Sequence, residues 1–284
     1  MSPFANAYLS RRSVGQSHPV HDFLFTYYSF SPAKLKHWVP CYGEKLAITP
    51  KLLQEYPWLT RQWFHQHENL LTLNLEHSTS ALPSLAQFIA QLCRSLQLRP
   101  MRLGCFGLHE WAMVYKLSDS AIRHSKWRLR LPPDQLATFV KSQTLCCTHY
   151  DAYRFFTSEA KPLNLFVPTL NTRLNNEQPG CLHANMDLYK WTTKLWPWVG
   201  SELIAKTFML ALEAREIDMR ASPYDLAELG YAPICIETEE GRRQFQEAQH
   251  ALAEQAMPLR LELITFCDKL INSYHQSALP KSAA

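Results

Sequence analysis

Eight glycines in 284 residues set the first limit on this chain. Sheet-and-turn architectures place glycine at tight turns and bulges, because it enters the left-handed backbone region without steric cost. A chain this poor in glycine has few such turns to offer. Nor does it hold a glycine-rich phosphate loop: neither GxGxxG nor a Walker sequence occurs. The eighteen prolines fall mostly between segments of helical periodicity, where a residue without an amide hydrogen closes one helix or opens the next. The expectation is a mainly α fold.

Periodicity locates the helices. Thr49-Pro50 opens one segment, and residues 83–97 place Leu85, Ile89, Leu92 and Leu96 on one stripe, closed by Arg99-Pro100. Leu108, Trp111 and Tyr115 predict a helix over 107–116. Between 125 and 131 the period changes: Trp127, Leu129 and Leu131 alternate with Lys126, Arg128 and Arg130, which predicts a strand with one basic face. Helices resume over 149–157, 182–196, 201–220, 223–229, 240–256 and 259–275, with Thr238 as an N-cap and Pro258 as the break between the last two. From Ser277 to Ala284 the tail reads as frayed. With no repeat, low-complexity tract or linker, residues 1–276 read as a single mainly helical domain with a small β element near residues 125–131.

Composition narrows the class. Apolar residues at 46% and charged residues at 19% support a sizeable core and argue against bulk disorder. A net charge of +4 permits an anionic partner but falls short of the footprint of a dedicated nucleic-acid binder. The eight cysteines include no CxxC pair and follow no secretory leader, so they read as reduced thiols of a cytoplasmic protein. The most apolar early stretch, Phe23 to Phe30, is too short and too polar to span a bilayer, and no membrane partner is expected.

Two segments, Cys147 to Phe156 and Pro179 to Trp191, crowd histidines, carboxylates, basic residues and aromatics together. Polar groups taken out of water need partners, so this density marks a site. On a helix, His183 and Asp187 share a face continued by Lys190 and Lys194, beside an apolar stripe of Ala184, Leu188, Trp191 and Leu195. That places His183 and Asp187 at the edge of the core, within reach of one bound group. The plain alternative is a surface His–Asp pair worth about 0.2–0.5 kcal/mol. Thr148 and Asp151 have the spacing of a capping box, which explains Asp151 without chemistry. It leaves His149 and Arg154 unexplained, with His149 on the side of Tyr153 and Phe156. Ser222-Pro223-Tyr224-Asp225 likewise reads as N-cap, N1 proline and N3 acid. Asp218 differs, because it shares its face with the small residues Thr207, Ala211 and Ala214, where an acid is desolvated or lines a pocket. Glu216 and Arg220 have the spacing of a helical ion pair. His109-Glu110 lacks the second histidine of HExxH, since Met113 holds that place. Adjacent residues diverge on a helix, so one of the two joins a site; Glu110 is the better candidate, and solvent exposure is the ordinary reading of both.

The phrases His18 to Ser29, Gly107 to Tyr115, His149 to Phe156, Cys181 to Trp191 and Asp218 to Asp225 resemble those of a family of uncharacterised bacterial proteins. Members of that family are often labelled 3-methyladenine DNA glycosylase. The resemblance implies a cofactor-free DNA-repair hydrolase that releases an alkylated purine from DNA or another nucleobase-containing substrate. Such an enzyme extrudes the base, stacks it on aromatic faces and assists its loss with a carboxylate. On this reading Asp187 or Asp218 supplies the acid, His183 orients the base and His149 completes the catalytic group. Trp111, Tyr150, Tyr189 and Trp191 form walls. Arg154, Lys190, Lys194, Lys126, Arg128 and Arg130 hold the substrate or its phosphates. The glycine-rich hairpin of helix-hairpin-helix glycosylases is missing. The competing reading is a metal-dependent helical-bundle hydrolase or oxygenase, with His149, His183 and Asp187, joined by Asp218 or Glu110, around iron, manganese or zinc. A third is a small-molecule binding protein whose basic, aromatic pocket takes an anionic aromatic ligand.

Overall fold

The computed structural model describes residues 1–122 and 126–278. Twelve α-helices, four 3-10 turns and one three-stranded sheet make up the regular structure of these residues, so the fold is mainly α. Packing divides the chain into two compact units, each assembled from separate stretches. That explains why the sequence offers no linker.

The first unit comprises residues 1–94, 188–209 and 258–284. It opens with α1 (Ser2–Ser13), α2 (Phe23–Thr26) and α3 (Pro32–Lys36), followed by β1 (Leu46–Ala47) and α4 (Pro50–Glu55). Thr49 caps α4 by accepting from the Leu52 amide at 3.2 Å, as Thr49-Pro50 predicts. A hairpin of β2 (Phe64–His67) and β3 (Leu70–Leu73) completes an antiparallel sheet of order β1-β3-β2. The hairpin turns through Glu68 at φ 53°, a left-handed position held without glycine. Ile48, Leu59 and Leu71 form its buried cluster. Helix α5 (Leu82–Gln97) then buries Ile89, Leu92 and Leu96 as its stripe requires, with Leu85 half-buried.

The second unit comprises residues 95–187 and 210–257. It holds α6 (Leu108–Ala112), α7 (Pro133–Ser142), α8 (Tyr150–Tyr153) and α9 (Arg173–Asn176). Three longer helices, α10 (Leu182–Lys194), α11 (Ser201–Arg220) and α12 (Glu239–Ala278), contribute residues to both units. Among the described residues no helix is long and apolar enough to cross a membrane. None of the eight cysteines is in a disulfide.

Several expectations need correction. The strand over 125–131 reduces to one bridge, Leu129 to Tyr224, because its partner is a short segment after α11 that cannot extend a ladder; Ser125 lies outside the described residues. The regular sheet lies instead at 46–73, which the helical reading missed. Helix α12 runs through Pro258. An interior proline costs about 3 kcal/mol, and burial of Leu252, Ala256, Leu263 and Ile264 on either side offsets it. Thr238 does cap this helix, accepting from the Gly241 amide at 3.0 Å. Helices expected over 107–116 and 149–157 shorten to α6 and α8, and 223–229 keeps one 3-10 turn. Of the tail, Ser277 and Ala278 belong to α12, and 279–284 lie outside the described residues.

Candidate metal centre

Backbone fit in the second unit sets the position of the first histidine. Gly107 precedes α6 at φ 69°, and a Cβ there would lie 3.3 Å from both Ala221 and the Phe245 ring. Trp111 Nε1 donates to the Ala221 carbonyl at 2.9 Å, fixing the helix in the same place. With both faces of this short helix covered, His109 and Glu110 are each buried. The adjacency argument therefore fails here: both residues join the site, through different partners.

His109 Nε2 lies 2.7 Å from Asp218 Oδ1. The two form a buried ion pair, in which the Asp218 carboxylate favours the protonated imidazole. The His183 ring meets His109 edge-on, with centroids 4.4 Å apart. One ligand atom from each of His109, His183 and Asp218 falls within 4.8 Å of the others. Behind this set, Arg215 Nη1 donates to Asp218 Oδ2 at 2.8 Å and to Glu110 Oε1 at 2.7 Å. The electrostatics follow from that geometry. Burial alone would raise Asp218, but His109, His183 and Arg215 hold its carboxyl well below the usual carboxylate range. Burial works to lower His109, and the Asp218 carboxylate outweighs it, so its net shift is upward. His183 is pushed well below the usual imidazole value by burial and by His109, which keeps it neutral, the form that binds metals.

A second set lies beside the first. The His149 ring stacks on His183 at 5.3 Å, and its Nε2 lies 3.3 Å from Asp187 Oδ2 and 3.6 Å from Glu177 Oε1. His149, Asp151 and Asp187 also bring one ligand atom each within 4.8 Å of the others. Arg173 buttresses this set, with Nη2 2.7 Å from Asp151 Oδ2 and Nε 2.8 Å from Glu177 Oε1. The capping box at Thr148 does not form: His149 is the N-cap residue of α8, without a side-chain cap, and Asp151 turns to Arg173. Across the layer, five buried carboxylates (Glu110, Asp151, Glu177, Asp187 and Asp218) face two buried guanidiniums, Arg173 and Arg215.

A cavity of about 20 Å³ opens against His109 and His183, with Cys105, Cys147, Cys181 and Gln249 among its lining. That volume admits a molecule of about the size of water. Gln249 is buried; its Nε2 donates to the Gly180 carbonyl while its Oε1 has no hydrogen-bond partner. Burial pushes the Cys147 thiol up to about 12 and Cys105 well above its usual value, so both stay protonated. Cys105 Sγ sits 3.9 Å from His109 Nδ1.

His183 and Asp187, read as a pair on one helix face, divide between the two sets. They also lie deep rather than at the edge, because α10 is buried on every side from Leu182 to Tyr189. Asp218, Thr207, Ala211 and Ala214 are fully buried as their shared face predicts. Other candidates stand apart. Trp111 is core, and Arg130 is pinned to Glu237 at 2.5 Å while lying over the Trp111 ring. Lys126 and Arg128 are exposed, and Tyr150 is half-buried. Arg154 lies over Phe155 and 3.5 Å from Asp151. Tyr189, Lys190 and Trp191 belong to the first unit. Asp225 caps no helix and instead accepts from the Ala227 amide. The Glu216–Arg220 pair forms at 3.8 Å.

Sequence reasoning missed Glu177, Arg173 and Arg215 and undervalued His109. The signal existed in part: Arg173 and Glu177 are four apart and Arg215 and Asp218 three apart, the spacings at which helical side chains meet. Compared with protein-family models, curated proteins and solved structures, the chain has no match.

Proposed function

We propose that this chain is a metal-dependent enzyme of the oxygenase type, whose cation is held by His109, His183 and Asp218. The observation that carries the reading is this buried set itself: two imidazoles and one carboxylate each bring a ligand atom within 4.8 Å of the others. Two histidines and one carboxylate with open positions are the ligand pattern of non-haem Fe(II) sites. Ligands of one cation at about 2.0–2.2 Å stand about 2.8–3.6 Å from one another; the 2.7 Å between His109 and Asp218 is shorter, so a bound cation would part the two atoms slightly.

When bound, the cation supplies Lewis acidity and one-electron chemistry at the cavity. The chain's own residues do the rest. Arg215 fixes the Asp218 carboxylate through its second oxygen, and Glu110 anchors Arg215 in turn. Such hydrogen bonds behind a ligand orient it and set its basicity. His183 is kept neutral and offers a lone pair. Gln249 Oε1 accepts a hydrogen bond from whatever small molecule occupies the cavity. The cavity's size favours water or a diatomic gas over a larger group. The glycosylase reading draws its support from the family resemblance. A purine pocket requires hundreds of cubic ångströms, against about 20 Å³ here, and Trp111 gives no stacking face because its ring is core.

The test is elemental analysis of protein purified without oxygen and without a metal-binding tag, then reconstituted with Fe(II), Mn(II) or Zn(II). At least one equivalent in the wild type, lost in Asp218→Asn and His183→Ala, supports the centre. No metal under any loading, with base release from methylated DNA, replaces it with the glycosylase.

A further inference from the structure

In the first unit, backbone contact seats the loop after α3 on the start of α11. Gly200 takes φ 74°, and a Cβ there would lie 2.9 Å from the Cys41 backbone, so glycine permits the approach. Ser201 ties the loop by two bonds: its amide donates to the Val39 carbonyl at 2.9 Å, and its Oγ accepts from the Val39 amide at 2.9 Å. The Tyr42 amide donates to the Trp198 carbonyl at 2.8 Å, and the Tyr42 carbonyl accepts from Lys269 of α12 at 2.8 Å. Between this loop, α11 and α12 lies a cavity of about 530 Å³, lined by residues of the first unit alone. Cavities that take organic ligands run to about 300–1,000 Å³. This one is of that size, and the cavity of about 20 Å³ beside His183 is not.

We propose that the larger cavity binds an amphipathic organic cation, an ammonium head on an aliphatic or aromatic body. The inference is independent of the metal centre. The cavity's inner lining is apolar: Val39, Val199, Leu203 and Phe266 are each at most 7% exposed. Trp38 lines it with half its surface exposed, while its backbone is held by Trp58 Nε1, which donates to the Trp38 carbonyl at 2.8 Å. A cation within about 6 Å of an indole face is attracted by the ring quadrupole.

Charge at the cavity favours a cation over an anion. Three carboxylates line it, Glu44, Glu202 and Glu262, against the ammonium of Lys269. Lys206 pairs with Glu202 at 3.4 Å and with Glu262 at 3.2 Å. Among the described residues Glu44 has no ion-pair partner; its Oε2 accepts from the Cys41 amide at 2.7 Å, which leaves its charge in place. The Cys41 thiol, on the same lining, senses the balance. Burial first and Glu44 next push it up to about 11, ahead of the opposing Lys269. The N-terminus of α11 does not reverse the sign, because Glu202 already occupies its first turn.

The experiment titrates the full chain at low salt with octyltrimethylammonium, octanoate and octanol, below micelle-forming concentrations, by calorimetry and tryptophan fluorescence. The cation is expected to saturate a single site and to bind about tenfold or more tightly than octanoate, whose charge meets Glu44. Glu44→Gln keeps an oxygen for the Cys41 amide and removes the charge. It should weaken the cation about two- to fivefold and leave octanol unchanged. Thr265→Trp, at an exposed position of α12 on the lining, puts an indole into the cavity and should abolish binding of all three. Equal affinity for the three ligands, or a cation unmoved by Glu44→Gln, overturns the assignment of a cation. Absence of saturable binding by any of them overturns the cavity as a ligand site. A wild-type dimer in sedimentation that becomes a monomer in Thr265→Trp overturns it in favour of a second copy of the chain. The wild-type comparison of the three ligands decides even if a variant fails to fold.

Discussion

The two compact units of this chain bury their polar groups in opposite styles. The first is held by aromatic and aliphatic packing: Tyr8 stacks on Phe25 at 4.7 Å, Phe25 and Tyr189 both meet Phe208, and Leu24 is fully enclosed. Its buried charges are fewer: Asp22, paired with the partly exposed guanidinium of Arg11, and Arg260. The second unit sets five carboxylates, three imidazoles and two guanidiniums into one layer. Burying charge costs several kcal/mol per ion before pairing returns any of it. A fold that needed only stability would build both units like the first. The contrast is what the proposed metal centre of the second unit would require.

The sharpest way to break this comparison is to remove charge from each unit in turn. Asp218→Asn leaves Arg215 buried with a weakened partner and removes a proposed ligand. It is expected to cost about 3–5 kcal/mol in denaturant unfolding. Chelator should lower the wild-type midpoint and leave the variant's unchanged. If Asp218→Asn proves neutral, the layer is not under electrostatic load. A core deletion in the first unit, Leu24→Ala, should cost about 2–5 kcal/mol and leave metal content intact; metal loss there would show that the units are not chemically separate. Asp22→Asn weakens a partly exposed ion pair and the bond from the His18 amide. About 1.5–3 kcal/mol is the expected cost, less than at Asp218.

How much of this was legible in the sequence depends on what each feature rests on. Helices α5, α10 and α11 carry their period over three turns or more, and their limits were readable to within two residues. The sheet was hidden because its hairpin turns at Glu68-Asn69, without the glycine that usually marks such a turn. Pro258 misled because a local cost is outweighed by burial that only tertiary structure reveals. In the site, His149, His183, Asp187 and Asp218 stood out as polar residues among apolar neighbours. Asp151 was misassigned because a capping box and a buried ion pair share one local pattern, and what decides between them is Arg173, 22 positions away. His109 was undervalued because nothing within α6 announces that both its faces are covered.

The smallest effect tests the first unit's own titrating group. His18 Nδ1 accepts from the amides of Val20 and His21, and burial, then His21 and Arg11, lower its pKa from 6.5 to about 4. A proton on that nitrogen would break both bonds, so the folded state keeps His18 neutral while the unfolded chain takes up a proton below 6.5. Stability from this group is therefore complete above pH 6.5 and declines as the pH falls toward about 4. Because the ring is partly solvated, screening limits the effect to about 1 kcal/mol or less. In His18→Gln the pH dependence of the unfolding midpoint should flatten between pH 6.5 and 4 relative to the wild type. If the variant keeps the full slope, acid sensitivity in this range comes from the carboxylate-rich layer of the second unit, and the aromatic unit is as indifferent to pH as its packing suggests.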